Sequence, residues 1–277
     1  MFAKIPLSKI LLYIVLIGIT GIYLIPLVYM LIGSFKPDDQ VLSVTQLTSY
    51  ISSDFTADNY FDVLQRVHFF RYLLNSVLIT SSVVIGGLVV NSMAAYVLAR
   101  FHWPGQQWIL AIILATMMVP LEAVAIPLFY QMSLLGLRDT YFVQIIPFIG
   151  NAFFIYLFYT YFLSLPKELE EAAYMDGASA LRTFWFIVVP NCKPIYSAVA
   201  ILAFLMQWSN FIWPLLITSQ ESVRPLSLAI STFYTLPPLQ WGDLFAFGVM
   251  MVTPVIVVFI VFQKRFVQSI VTGSFKN

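Results

Sequence analysis

Cysteine occurs once in this 277-residue chain, at Cys192, and histidine only twice, at His68 and His102. One thiol excludes an internal disulfide and any multi-cysteine metal centre. Two isolated histidines, with no His-Glu-x-x-His pattern, leave no ligand set for a hydrolytic zinc and no suitable partner for a nucleophilic serine. An integral-membrane hydrolase is set aside on that ground, and no catalytic or metal residue is assigned. The chain also lacks a Gly-x-x-x-x-Gly-Lys-Ser/Thr loop, so it has no cradle of its own for the phosphates of ATP. Charge is scarce as well. Asp, Glu, Lys and Arg make up 10% of residues and nearly cancel, at net +1. No basic patch interleaved with aromatics offers itself to nucleic acid.

Apolar side chains fill the space that charge leaves. Hydrophobic residues make up 60% of the chain and its mean hydropathy is +0.88, well beyond the soluble range. Stretches free of Asp, Glu, Lys and Arg run 10–35, 72–99, 101–121, 140–166, 194–220 and 244–263. Each is at least ~20 residues, long enough as a helix to cross ~30 Å of hydrocarbon. The expectation is an all-α integral membrane protein, a single transmembrane domain over 1–277 with six helices near 10–35, 72–99, 106–130, 141–164, 195–218 and 244–263. The first apolar run is longer than the core of a secretory leader, and no small-x-small cleavage site follows it, so it is expected to stay as a span. With the N-terminus inside, nine of the fourteen Lys and Arg fall on the inner side. That bias predicts an N-in, C-in, multi-pass membrane protein. The one long outer connection, 37–71, predicts a short interfacial helix starting at Ser53 or Asp54. It either links two spans or offers part of a docking surface.

Polar residues at membrane depth are few. Glu122 follows Pro120 and precedes Pro127 in the third span. It is either a functional carboxylate, since a charge in hydrocarbon is costly, or an outer-interface group reaching headgroup water. Gln207, Ser209 and Asn210 crowd one turn of the fifth span and require partners in a bundle or a wet pathway. They are the candidate translocation-pathway residues, together with Glu122.

The segment 165–194 differs from everything around it. Pro166 suits a first helical turn, and Glu168, Glu170 and Glu171 favour the positive end of a helix dipole. Gly177 offers the left-handed stop, and Ser179 can cap a second helix carrying Leu181, Phe184, Trp185 and Val188 at helical spacing. Pro190 and Pro194 oppose continuation into the fifth span. The reading is helix–turn–helix, the first helix protruding.

Within it, Glu171, Ala172, Ala173, Gly177, Ile187 and Pro190 stand at the intervals Glu-Ala-Ala, three residues, Gly, nine residues, Ile-x-Leu-Pro, with Val189 in place of the Leu. This resembles the EAA loop of ATP-binding cassette importer permeases. The run Ala94–Phe101 with Pro104-Gly105, the Leu135–Tyr141 turn, and Trp208-Ser209-Asn210 before Trp213-Pro214-Leu215 are similar to the carbohydrate-uptake branch, such as the second membrane subunit of maltose and glycerol-phosphate systems. In span five an extra Ser209 separates the Trp-Asn pair. The ending Gly273–Asn277 matches the family's at two of five positions. The resemblance implies a type I ABC importer permease fold, in a bacterial plasma (inner) membrane, that moves a sugar, oligosaccharide or sugar-like polyol by alternating access. It implies Glu171, Ala172, Ala173, Asp176 and Gly177 as the ATPase-coupling residues. Its implied partners are a homologous second permease (a heterodimer), an ABC ATPase dimer and an extracytoplasmic solute-binding protein. No cofactor is expected on this chain, and the chain is not itself an enzyme; ATP and Mg are implied on the ATPase. The alternatives are an ABC permease for a non-sugar solute and an ion-coupled secondary transporter. Against the latter, the halves 1–139 and 140–277 show no repeat, and Glu122 alone offers a coupling carboxylate.

Overall fold

The computed structural model describes residues 7–42 and 54–274, with side chains described as far as residue 262. Among the described residues every regular element is helical. The order is α1 (Leu7–Gly33), α2 (Asp38–Val41), α3 (Asp58–Arg66), α4 (Phe69–Arg100), α5 (Gln106–Thr116), α6 (Leu121–Leu134), α7 (Tyr141–Ile149) and α8 (Ala152–Leu163). Then come α9 (Glu168–Met175), α10 (Ala180–Thr183), a π-helical turn (Phe184–Val188), α11 (Val189–Asn191), α12 (Lys193–Trp208), α13 (Ile212–Ile217), α14 (Leu226–Ala229) and α15 (Trp241–Ser274).

Among the described residues, four helical stretches are long and apolar enough to cross a bilayer: Ser8–Gly33, Phe69–Arg100, Tyr141–Leu163 and Trp241–Phe262. Two bent pairs raise the number to six if each counts as one crossing. These are α5 with α6, meeting at 97°, and the 180–191 helix with α12, meeting at 83°. The expected third span is therefore two helices. Pro120 takes an extended conformation ahead of α6 (φ −69°, ψ 146°) and so ends any continuation of α5. The fifth span is shorter than the expected 195–218: α12 stops at Trp208, and α13 begins only after Ser209 and Asn210.

The chain divides into two compact units, residues 1–69 with 230–254, and residues 70–229 with 255–277. In the first unit the polar side chains of α3 tie the chain together. Asn59, buried, donates its amide to the carbonyls of Ser34 (2.9 Å) and Lys36 (2.8 Å), just past the end of α1. Carbonyls past a helix end have no partner within the helix, so a side-chain amide serves them. Arg66, at the other end of α3, donates to Gln240 and to the carbonyls of Leu236 and Pro238, and pairs with buried Asp243 of α15. The helix expected from Ser53 or Asp54 begins at Asp58, where Thr56 Oγ1 accepts from the Asp58 N–H. Ser53 lies outside the described residues.

In the second unit the core gathers Phe154, Phe158 and Phe162 at successive turns of α8 against Ala95, Tyr96 and Ala99 of α4 and Val199 and Ala203 of α12. Phe158 and Phe162 stack, with ring centroids 5.7 Å apart. Small residues on α4 permit this approach, as lipid-embedded helices require.

Gly242 sits on Asn59: a Cβ there would lie 2.6 Å from the Asn59 amide. Gly242→Ala is expected to displace that amide and lower thermal stability in detergent by roughly 1–3 kcal/mol. Adding Asn59→Ala relieves the collision, so the double variant should be less destabilised than the two single losses summed. Additive losses would contradict the contact.

Candidate functional site

The segment expected to couple begins from α8 through Leu165 and Pro166. Pro166 precedes α9 instead of opening it, because Lys167 supplies the first carbonyl, accepting from the N–H groups of Glu170 and Glu171 at 3.0 Å. Three acids, Glu168, Glu170 and Glu171, occupy the first turn, as the helix dipole favours.

The stop lies at Gly177, in the left-handed region at φ 79°. Its N–H bonds the Tyr174 carbonyl at 3.0 Å, and the Ala178 N–H reaches back to the Ala173 carbonyl at 2.9 Å. That pair of bonds is a Schellman cap, which satisfies the last carbonyls of a helix and turns the chain sharply. Ser179 Oγ then accepts from the Arg182 N–H at 3.4 Å and starts α10. The second helix is not uniform: it passes through a π turn at Phe184–Val188. A proline at position 190 lacks an N–H and its ring crowds the carbonyl four residues back, at Phe186. The wider π turn accommodates both.

The candidate coupling residues divide between the two sides of α9. Glu171, Ala172, Asp176 and Gly177 are exposed, whereas Ala173 is buried against the chain itself. Exposed apolar side chains flank them: Leu169, Leu181 and above all Met175, which is 87% exposed.

Sequence reasoning missed the residue that holds this helix in place. Glu170, one position before the motif, is 6% exposed. Its Oε1 lies 2.6 Å from Arg100 Nε, both side chains being buried, and its Oε2 accepts from Tyr96 Oη at 2.9 Å. Arg100 also donates through Nη2 to the Leu165 carbonyl at 3.0 Å, just before α9. Tyr96 Oη further approaches Tyr174 Oη at 3.4 Å. Thus one end of α4 grips both the entry to α9 and its first turn. The available signal was the pairing of an Arg ending one helix with a second acid beside the motif. Arg100 is thus a buried ion-pair partner.

The pathway candidates do not converge as a group. Gln207 and Asn210 line a small polar cavity with Ser76, Thr80, Gln144 and Ser227. Ser209 turns back on its own helix, donating to the Leu205 carbonyl at 2.8 Å. Glu122 is exposed in the first turn of α6, away from that cavity's lining. Thr80 and Trp208 also line a larger, almost wholly apolar cavity of about 430 Å³ with Tyr196, Ala200, Phe204 and Val258. Trp213 is wholly buried, its Nε1 donating to the Val143 carbonyl at 2.9 Å, so the Trp-Pro-Leu motif is an anchor for α13. Among the described residues no three His, Cys, Asp or Glu side chains gather as a metal site. The tail expected to resemble the family's ending lies outside the described side chains, its last three residues outside the described chain altogether.

The sequence and fold were compared with known proteins. Residues 87–272, more than half of the chain, match the family described as binding-protein-dependent transport system inner membrane component. The chain is 31% identical over 274 residues to an arabinooligosaccharides transport system permease protein of Halalkalibacterium halodurans, covering 98% of each. It is 32% identical over 259 residues to a diacetylchitobiose uptake system permease protein of Streptomyces coelicolor, covering 92% of this chain and 85% of that one. Its fold is similar to a chain of a crystal structure of a bacterial ABC transporter involved in the import of the acidic polysaccharide alginate. There the TM-score is 0.81 at 27% identity, over 96% of this chain and all of the other.

Removing one partner of a buried ion pair strands the other charge. Arg100→Ala or Glu170→Ala is therefore expected to cost roughly 3–5 kcal/mol, read as a lowered melting temperature in detergent. Replacing both together by Met should restore most of the loss. A double variant as unstable as the singles would contradict the pairing.

Proposed function

The chain belongs to the binding-protein-dependent transport system inner membrane component family and is a membrane subunit of an ATP-binding cassette importer; from that premise we propose its cargo, its partners and its coupling device. The cargo is a sugar, an oligosaccharide or a sugar-like polyol. Support comes from the relatives named for arabinooligosaccharides and diacetylchitobiose, which match along more than nine-tenths of this chain. The partners are a homologous second permease, an ATPase dimer and an extracytoplasmic solute-binding protein. ATP and Mg²⁺ belong to the ATPase, in keeping with the absence of any phosphate-binding loop in this sequence.

The coupling device is α9. The observation that carries this reading is its division into a gripped root and an exposed face. Glu170 and Ala173 turn inward, while Glu171, Ala172, Asp176 and Met175 face outward. Ala172 adds little bulk, so a partner's groove can close on the backbone. Glu171 and Asp176 offer carboxylates to basic groups at the groove's rim, and Met175 supplies an adaptable apolar tip. Closure of the ATPases on nucleotide then moves this helix and the spans behind it as rigid bodies. Gln207 and Asn210 are the pathway groups that share one cavity.

Three experiments test this reading. Gly177→Val places a β-branched residue where φ is 79°, straining the cap by roughly 1–2 kcal/mol. It should lower uptake severalfold while the amount of chain in the membrane stays constant; wild-type uptake would remove Gly177 from the device. For the cargo, the melting temperature of the system's binding protein is followed with arabino-oligosaccharides, diacetylchitobiose, maltose and glycerol 3-phosphate, beside amino-acid and dipeptide controls. A rise with one of the former is expected, and a rise with the controls alone overturns the carbohydrate class. If alanine at Gln207, Ser209 and Asn210 together changes neither substrate range nor apparent affinity, their pathway role falls.

A further inference from the structure

Helix α4 is unlike the other long helices. It runs 32 residues with no proline, whereas α1 and α15 contain Pro26 and Pro254 and two further crossings are bent pairs. Its polar side chains are fastened at three levels, all inside one compact unit.

At one end, Asn75 Nδ2 donates to the carbonyls of Ser222 (3.0 Å) and Arg224 (2.9 Å), and Tyr141 Oη donates to Asn75 Oδ1 at 2.7 Å. Ser76 Oγ accepts from the Leu226 N–H at 2.7 Å. These bonds hold the 219–229 segment, whose α14 is wholly buried. In the middle, Asn91 spans the break between α7 and α8: it donates to the Ile149 carbonyl at 2.9 Å and accepts from the Asn151 N–H at 2.8 Å. At the far end, Tyr96 and Arg100 grip Glu170 and Leu165. From Asn75 to Arg100 the helix covers ~37 Å at 1.5 Å per residue.

We infer that α4 is the strut that carries displacement of the coupling helix across the membrane to the 219–229 segment, with Arg100, Glu170 and Tyr96 as the positioning residues at its loaded end and Asn75 and Ser76 at its delivering end. The inference rests on α9 as the docking element. Its mechanical content is separate. A helix without an internal break transmits axial displacement, whereas a hinge at Pro or at a bend absorbs it. Directed, charge-assisted bonds fix the angle between α9 and α4, which apolar packing alone leaves free to slide. Other helices contact α9 and its neighbours, but the bonds above join both ends of one element.

The test uses the assembled complex with its own partner permease, ATPases and binding protein, in nanodiscs, with the cysteines of the partner subunits replaced. Cys192 is fully buried and stays in place. Leu74, 68% exposed beside Asn75, is changed to Cys and labelled with bimane. Met175→Cys, in a separate preparation, carries a benzophenone for photocapture of the ATPase. MgATP with vanadate is expected to shift the bimane emission in the parent. In the paired variant Arg100→Met with Glu170→Met the shift, normalised to trapped nucleotide, should fall at least ~5-fold, the lower range of coupling between distant sites, while photocapture persists. A merely structural role for the pair would reduce the amount of complex and not the shift per trapped nucleotide. An unchanged shift in the paired variant overturns the inference, as does a parent without any shift at Leu74→Cys. Should the paired variant not assemble, Arg100→Lys, which keeps the charge but loses the donor to Leu165, decides on the same criterion. If Met175→Cys captures no ATPase in the parent, docking through α9 is itself refuted and the strut with it. A capture that persists while the shift is unaffected refutes the strut alone.

Discussion

Hydrocarbon offers no hydrogen bonds, so each place where a membrane helix is interrupted must find its partners within the protein. In the larger unit of this chain those partners come repeatedly from α4. Asn91 serves the carbonyl and N–H freed between α7 and α8, Asn75 serves the carbonyls of Ser222 and Arg224, and Arg100 serves the carbonyl of Leu165 where α8 gives way to α9. One uninterrupted helix permits its neighbours to be interrupted. That arrangement explains why Asn75, Ser76 and Asn91 are buried on a largely apolar helix, whereas Ser92 turns back on the Leu88 and Val89 carbonyls of its own helix. Each removed polar group would leave a buried backbone atom unsatisfied at roughly 1–3 kcal/mol.

The Arg100–Glu170 pair follows the same logic with higher stakes. Two charges withdrawn from water gain little net stability over well-packed apolar residues, because desolvation offsets their attraction. What the pair adds is direction. The guanidinium reaches a carboxylate in α9 and a carbonyl just ahead of it, and the remaining carboxylate oxygen takes the Tyr96 hydroxyl. Packing of Phe162 and Phe184 around Tyr96, with ring centroids 6.0 and 5.0 Å away, excludes water from the cluster. Fixed orientation, and not raw stability, is the physical content of this joint.

The caps of the coupling segment were legible in the sequence, because they depend on neighbours within four or five residues. Gly177 and Ser179 do what their positions predict. The spans were legible from charge-free runs, less so their interiors. Pro120 and the Ser209-Asn210 pair divide helices that hydropathy alone reads as continuous, since all the pieces are apolar. Which of the clustered acids turns inward was not legible. Glu168, Glu170 and Glu171 are equivalent to the helix dipole, and only the placement of α9 against α4 singles out Glu170. The same tertiary fact buries Ala173 while leaving Ala172 exposed, although the two are indistinguishable in the motif.

An eight-residue helix has little stability of its own in water, since nucleation is unfavourable and few bonds follow it. α9 nevertheless stands formed at its exposed face. Its first turn is held by Lys167, Glu170 and Arg100, and its last by the Schellman bonds at Gly177 and Ala178. With both ends fixed by the chain itself, the partner proposed to close on Ala172 and Met175 would meet an ordered helix and spend none of its binding energy on folding one. Pre-organisation also sets the stiffness of the joint. A helix that formed only on contact would dissipate part of the partner's displacement in its own ordering, whereas a preformed one passes it to whatever its root grips.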